Sequence, residues 1–425
     1  MLSDRFLRAG TWFFAASMVT NVFNYVFQLT MGRLLSTPDF GLMNSLFSLL
    51  LITSLPFITI MTVLTKYVST FAVEGDYGRI KSLFLKAYKN IFGIASILLA
   101  AFVCLSFLIR DFLRMETVGP IILLGIAVFG SLVLPINTAF LQGLQKFRSL
   151  GFVSGALGPI KFVSCVVLVM MGLRLNGIFA GLILTNIAVF FISYMPLRSL
   201  MGSTVSSEWK RNDLLSYAVP VFVANLSFAV LTQVDLLFVR HYFPPGEVGV
   251  YASAAVLGRA IMYLPASLIL ALFPMVAEAE AKNQSAAHLL VKASGYTMAL
   301  AGTGTFIYGF FPTPVITVLF GEKYIHAEAI LGLYGLAMLP MGLLLILINY
   351  NLARAKVRFV NYLLALGIAQ ICLILIFHES FTQILWIVFG CGTASVLIVA
   401  FHAFLEDHPT IAQMRRFVSR ICSGR

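Results

Sequence analysis

Three charged side chains interrupt stretches that are otherwise fit for a lipid bilayer: Lys161, Asp235 and Arg259. A charge at the bilayer centre costs roughly 2.5–3.5 kcal/mol on insertion scales, so such residues face a bundle interior or a water-filled cavity. Arg259 sits near mid-depth, and Lys161 sits at the middle of its span, too far from either end to reach water comfortably. Two buried cations suit an anionic ligand such as a phosphate. The alternative is pairing with carbonyls or with unrelated partners. Asp235 is the only carboxylate well inside a span. An ionisable group there is the candidate coupling or gating residue, because a gradient of protons or sodium ions can bias a conformational equilibrium through it by linkage. The alternative is a structural ion pair. Counted along the helices, Asp235 and Arg259 differ in depth by about six residues, or ~9 Å. Direct contact between them would therefore need helix tilt.

Uncharged polar residues accompany these three. Asn21, Asn24 and Gln28 follow an i, i+3, i+7 spacing that places them on one helix face, for a cavity lining or for bonding between helices. Gln233 sits beside Asp235. Asp235 lies five residues before Arg240, and Gln28 five before Arg33, in two stretches that align: RLLSTPDFGLMNS and RHYFPPGEVGVYAS. Gly41 then matches Gly249, a shift of 208, and Lys146-Phe147-Arg148 matches Lys356-Val357-Arg358 at a shift of 210. Two separate matches at nearly one offset predict a duplicated unit. Asp235 and Gln28 are equivalent in it, whereas the counterparts of Arg259 and Lys161, near Leu51 and Ile371, are apolar.

The elements that carry these residues follow from composition. The chain has 425 residues, 60% hydrophobic and 11% charged, against roughly a quarter charged in a soluble domain. Twelve apolar runs, the first over 10–35 and the last over 381–403, are each long enough to cross a hydrocarbon core of about 30 Å. The first reads as a retained span, not a cleaved leader. With only short connections outside the bilayer, backbone hydrogen bonding demands helices. The expected fold is therefore an all-α polytopic membrane protein, with about twelve helices in two parallel six-helix lobes around a central cavity. The lobes span 1–200 and 214–404, joined by a cytoplasmic linker at 201–213 and followed by a basic amphipathic tail at 405–425. A second amphipathic stretch, Tyr77–Asn90, reads as a membrane-surface segment or a solvated loop.

With both ends in the cytoplasm, 21 of the 29 Lys and Arg fall on the cytoplasmic side and six outside, a strong orientation signal. The net charge of +12 is explained by this placement and does not point to nucleic acid. The five cysteines and six histidines are dispersed, without CxxC or metal-ligand spacing. No metal, cofactor or catalytic residue is expected.

The segments GRLLSTPDFGLMNSL, KYVSTFAVEGDYGRIKSLF, LQGLQKFRSLGFVSG and TQVDLLFVRHYFPPGEVGVYASA, in this order and spacing, resemble bacterial polysaccharide flippases of the O-antigen type. These belong to the multidrug/oligosaccharidyl-lipid/polysaccharide exporter superfamily. The resemblance implies alternating access of two lobes in the cytoplasmic (inner) membrane. It implies translocation of an undecaprenyl-pyrophosphate-linked glycan, with membrane lipids, a glycan polymerase and glycosyltransferases as candidate partners. Basic cavity residues are a feature of the family, and Lys161 and Arg259 fit that role by position. A cation-coupled multidrug exporter of the MATE type is the alternative, disfavoured because such cavities favour carboxylates. A membrane-embedded glycan polymerase or glycosyltransferase is disfavoured by the lack of a catalytic loop, of DxD and of GxxxxGK[ST]. The close acidic pair Glu278 and Glu280 reads as the solvated end of a span.

Overall fold

A computed structural model describes residues 2–202, 215–264, 286–354 and 356–407, with Leu272, Met275, Val276 and Ala279. Most of the expected linker, the tail beyond 407, and Glu278 and Glu280 lie outside the described residues. Among the described residues the long helices run from 18 to 37 residues. In chain order these are α1 (Leu2–Leu34), α2 (Thr37–Val73), α3 (Tyr77–Cys104), α4 (Gly119–Gly143), α5 (Phe147–Leu168) and α6 (Arg174–Tyr194). They continue as α7 (Leu215–Tyr242), α8 (Pro245–Tyr263), α9 (Ala287–Phe310), α10 (Glu328–Ala353), α11 (Phe359–Ile376) and α12 (Phe381–Asp407). Short helices follow α3 (Ser106–Phe112) and α9 (Pro312–Leu319).

Local chemistry sets the boundaries. Ser36 caps α2, its hydroxyl accepting from the Asp39 amide at 3.3 Å, with proline in the first turn. Gly75, at φ +73°, ends that helix, and the Asp76 carboxylate caps α3 by accepting from the Arg79 amide at 2.9 Å.

Eight segments among the described residues are long and apolar enough to cross a membrane, and the longest, Phe147–Arg198, contains both α5 and α6. Large apolar side chains such as Ile97, Val163, Phe191, Phe306 and Leu397 stand more than half exposed on these helices. Water would penalise such a surface, and a bilayer solvates it. The chain is a multi-pass membrane protein.

The Tyr77–Asn90 stretch departs from expectation. It is the first half of α3, and Ile80, Leu83, Phe84 and Ala87 are buried in the protein. The Phe84 ring packs edge-on to Phe140 of α4, and Tyr88 bonds to Asn137 of that helix. An apolar stripe with helical period needs an apolar neighbour, and sequence alone does not say whether that neighbour is lipid or protein.

The chain divides into two units. The first is Met1–Phe222 with Phe243–Gly249, and the second is Val223–Tyr242 with Val250–Arg425. In the first, α1 packs on α5, α2 on α4, α3 on α4, α4 on α6 and α5 on α6. In the second, α9 and α12 pack on α10, and α11 packs on α12. Gln370 of α11 reaches the Leu231 carbonyl of α7 at 3.1 Å, and Gly258 of α8 lies against the Tyr334 ring of α10. Each pairing in the first unit thus has its six-helix-shifted equivalent in the second.

Candidate polar sites within the two units

In the second unit, Asp235 of α7 is fully buried. Its Oδ1 accepts from Arg259 Nη2 of α8 at 3.0 Å. Its Oδ2 accepts from the Tyr251 hydroxyl of α8 at 2.9 Å and from the Tyr334 hydroxyl of α10 at 2.5 Å. Three donors from two helices therefore surround one carboxylate, as a buried charge requires. The tyrosine rings meet edge-on with centroids 5.4 Å apart. Gly258 makes room for this: a Cβ there would overlap the Tyr334 ring. The Arg259 side chain is 13% exposed, and its Nε is buried without a partner.

Asp235 and Arg259 thus make the direct contact for which the depth count required helix tilt. Membrane helices tilt by about 20° on average, and an extended arginine spans more than one helical turn, so the 9 Å offset closes.

In the first unit, Lys161 of α5 donates to Asn24 Oδ1 of α1 at 3.0 Å. Its ammonium lies 4.5 Å from the centroid of the Phe27 ring and 5.5 Å from that of Phe47. Among the described residues no ion pair reaches it. A cation over aromatic faces is held by the ring quadrupoles without losing its net charge. The close approach of α1 and α5 sets the geometry. A Cβ on Gly158 would lie 2.7 Å from the Thr20 Cα, and the Gly158 amide donates to Thr20 Oγ1 at 3.2 Å. Pro159 follows in the same helix and supplies no amide of its own. Lys161 is thereby delivered one turn further on, opposite Asn24. Gln28, on the same stretch of α1, buries Oε1 without a partner.

The structure thus joins Lys161 with Asn24, and Asp235 with Arg259. Asn21 is exposed on α1, and Gln233 is buried on α7 two residues before Asp235. The apolar counterpart expected for Lys161 is corrected: its neighbour Gln370 makes the equivalent α11-to-α7 contact, to Leu231. At a shift of 207, Leu231 corresponds to Asn24. Sequence reasoning missed Phe27, Phe47, Tyr251 and Tyr334. Aromatic residues are at home in apolar runs, and none carried a signal of its role.

Several solved transporter structures have a similar fold. An inward-facing multidrug resistance MATE family transporter of the MOP superfamily aligns with a TM-score of 0.75 at 10% identity, covering 96% of this chain and 99% of the other. The lipid II flippase MurJ in an inward closed conformation aligns at 0.70 and 14% identity, covering 92% and 87%. A MOP superfamily transporter from Pyrococcus furiosus, described as having a binding pocket of reversed polarity, aligns at 0.64 and 13%, covering 94% and 96%. Residues 30–329 match the family described as polysaccharide biosynthesis protein, and the chain belongs to that family. The Lsg locus putative protein 1 of Haemophilus influenzae is 22% identical over 234 residues, 53% of this chain. The match spans 57% of that relative's length.

Proposed function

We propose that the protein flips a lipid-linked oligosaccharide or polysaccharide precursor across the cytoplasmic membrane. Two six-helix lobes alternate access to a central cavity, with both chain ends in the cytoplasm. The observation that carries this reading is Lys161: a cation in the middle of α5, cradled by Phe27, Phe47 and Asn24, with no ion pair among the described residues. An uncompensated cation in a low-dielectric site attracts an anionic headgroup. The pyrophosphate of an undecaprenyl-linked glycan has that chemistry. Membership in a polysaccharide biosynthesis family and the likeness to a lipid II flippase support the same substrate class. The protein then acts as a transporter and performs no covalent chemistry.

A MATE-type exporter of cationic drugs would need a carboxylate free to meet its substrate. Asp235, the one carboxylate well inside a span, has both oxygens engaged. In the flippase reading, energy coupling to a proton or sodium gradient acts at Asp235.

The test is export of lipid-linked glycan to the outer leaflet by Lys161→Ala, at matched protein level in the membrane. Export should be lost, and Lys161→Arg should retain part of it. Parental export by Lys161→Ala would overturn the headgroup assignment.

A further inference from the structure

The repeat places Gln28 and Asp235 at equivalent positions, yet only Asp235 carries charge. The unit with the neutral Gln28 holds an unneutralised cation, Lys161. The unit with Asp235 holds a neutralised one, Arg259. Tyr251 and Tyr334 both donate to the carboxylate oxygen that Arg259 does not use. They hold the carboxylate where it faces the guanidinium. Arg259 keeps donors beyond this contact, and its Nε is buried with no partner. A guanidinium offers five donors in a planar fork matched to carboxylate or phosphate. One nitrogen on the carboxylate leaves the buried Nε of that fork open to a second acceptor.

We infer that Asp235 is an internal stand-in for an anionic ligand: it occupies Arg259, and a phosphate or pyrophosphate group binds Arg259 when the carboxylate gives way. This rests on the flippase reading for its substrate, but not for the exchange itself. Arg259 is then a conditional anion contact within the second unit. The two tyrosine hydroxyls set how readily the exchange occurs, because both donate to the carboxylate in its masking position. Asp235 is then a positioning residue that acts through Arg259. Its effect lies on anion affinity.

The test uses the full chain in nanodiscs and inorganic pyrophosphate as probe, followed by calorimetry. Asp235→Asn removes the competing charge and should tighten binding about tenfold, or 1.4 kcal/mol. Asp235→Asn with Arg259→Gln should abolish that gain. A folded Asp235→Asn protein that binds no tighter than the parent, including no binding by either, overturns the inference, as does a gain that survives Arg259→Gln. Should Asp235→Asn fail to fold, Tyr251→Phe with Tyr334→Phe keeps both charges and frees the carboxylate. Tighter binding is then expected, and unchanged affinity overturns the proposal. Nanodiscs carrying a polyprenyl pyrophosphate distinguish the anion's source. Displacement of the probe by that lipid supports binding of a lipid headgroup, and undiminished probe binding supports binding of a free anion. Absence of lipid-linked glycan export by the parent chain alongside tighter binding by Asp235→Asn would sink the flippase assignment and leave the exchange standing, whereas parental export by Lys161→Ala would remove only Lys161 from headgroup binding.

Discussion

At the scale of the residue, the two buried cations are stabilised by different means, and this separates their roles. Arg259 and Asp235 stabilise each other, so removing one leaves the other uncompensated. Arg259→Gln leaves a buried carboxylate with two hydroxyl donors only and should lose about 3–5 kcal/mol of stability. Adding Asp235→Asn should recover most of that loss. Melting temperatures of the purified single and double variants decide it, and a double variant no more stable than Arg259→Gln would mean the charges are not coupled. Lys161 needs no such partner. Its aromatic contacts contribute about 0.5–2 kcal/mol, and Lys161→Met keeps the apolar stem while removing the charge. We expect that variant to melt within a few degrees of the parent and to export no glycan. A large drop in melting temperature would make Lys161 a packing residue instead.

At the scale of the element, the contact of α1 with α5 is governed by small residues, as close helix approach in membranes requires. Gly158 lies against the Thr20 backbone with no room for a Cβ. Gly158→Val should push α5 off α1, break the Lys161–Asn24 bond and lower both melting temperature and export. Gly93 of α3 is the control, since a Cβ there meets nothing within 4 Å. Gly93→Val should behave like the parent, and equal damage from both would place the effect in helix propensity, not in packing. The same logic explains why Tyr77–Asn90 is a protein-facing half of α3. Its stripe matched the apolar face of α4, and burial against a partner helix satisfied it.

At the scale of the whole molecule, the basic residues predict which ends of the helices face the cytoplasm. Ser36, in the α1–α2 turn, should be outside, and Gln142, in the last turn of α4, inside. Single cysteines at these positions, in a background without the native five, report it through an impermeant thiol reagent. Ser36→Cys should label in intact cells and Gln142→Cys only after permeabilisation. The reverse pattern would invert the topology.

What the sequence determined by itself is what the bilayer enforces locally. Long apolar runs become helices because no water is present to satisfy the backbone. Charges inside those runs stand out because each costs free energy unless it is paired or solvated, and so Lys161, Asp235 and Arg259 were legible before any fold was known. Their partners were not. Tyr334 is 99 residues from Asp235, and Phe47 sits on a different helix from Lys161, where phenylalanine is unremarkable. Whether a cation is neutralised or left charged depends on which helices are neighbours and how they tilt. Those quantities arise from packing between segments distant in the chain. Only the tertiary structure could decide that Arg259 is paired with a carboxylate and that Lys161 rests on aromatic rings.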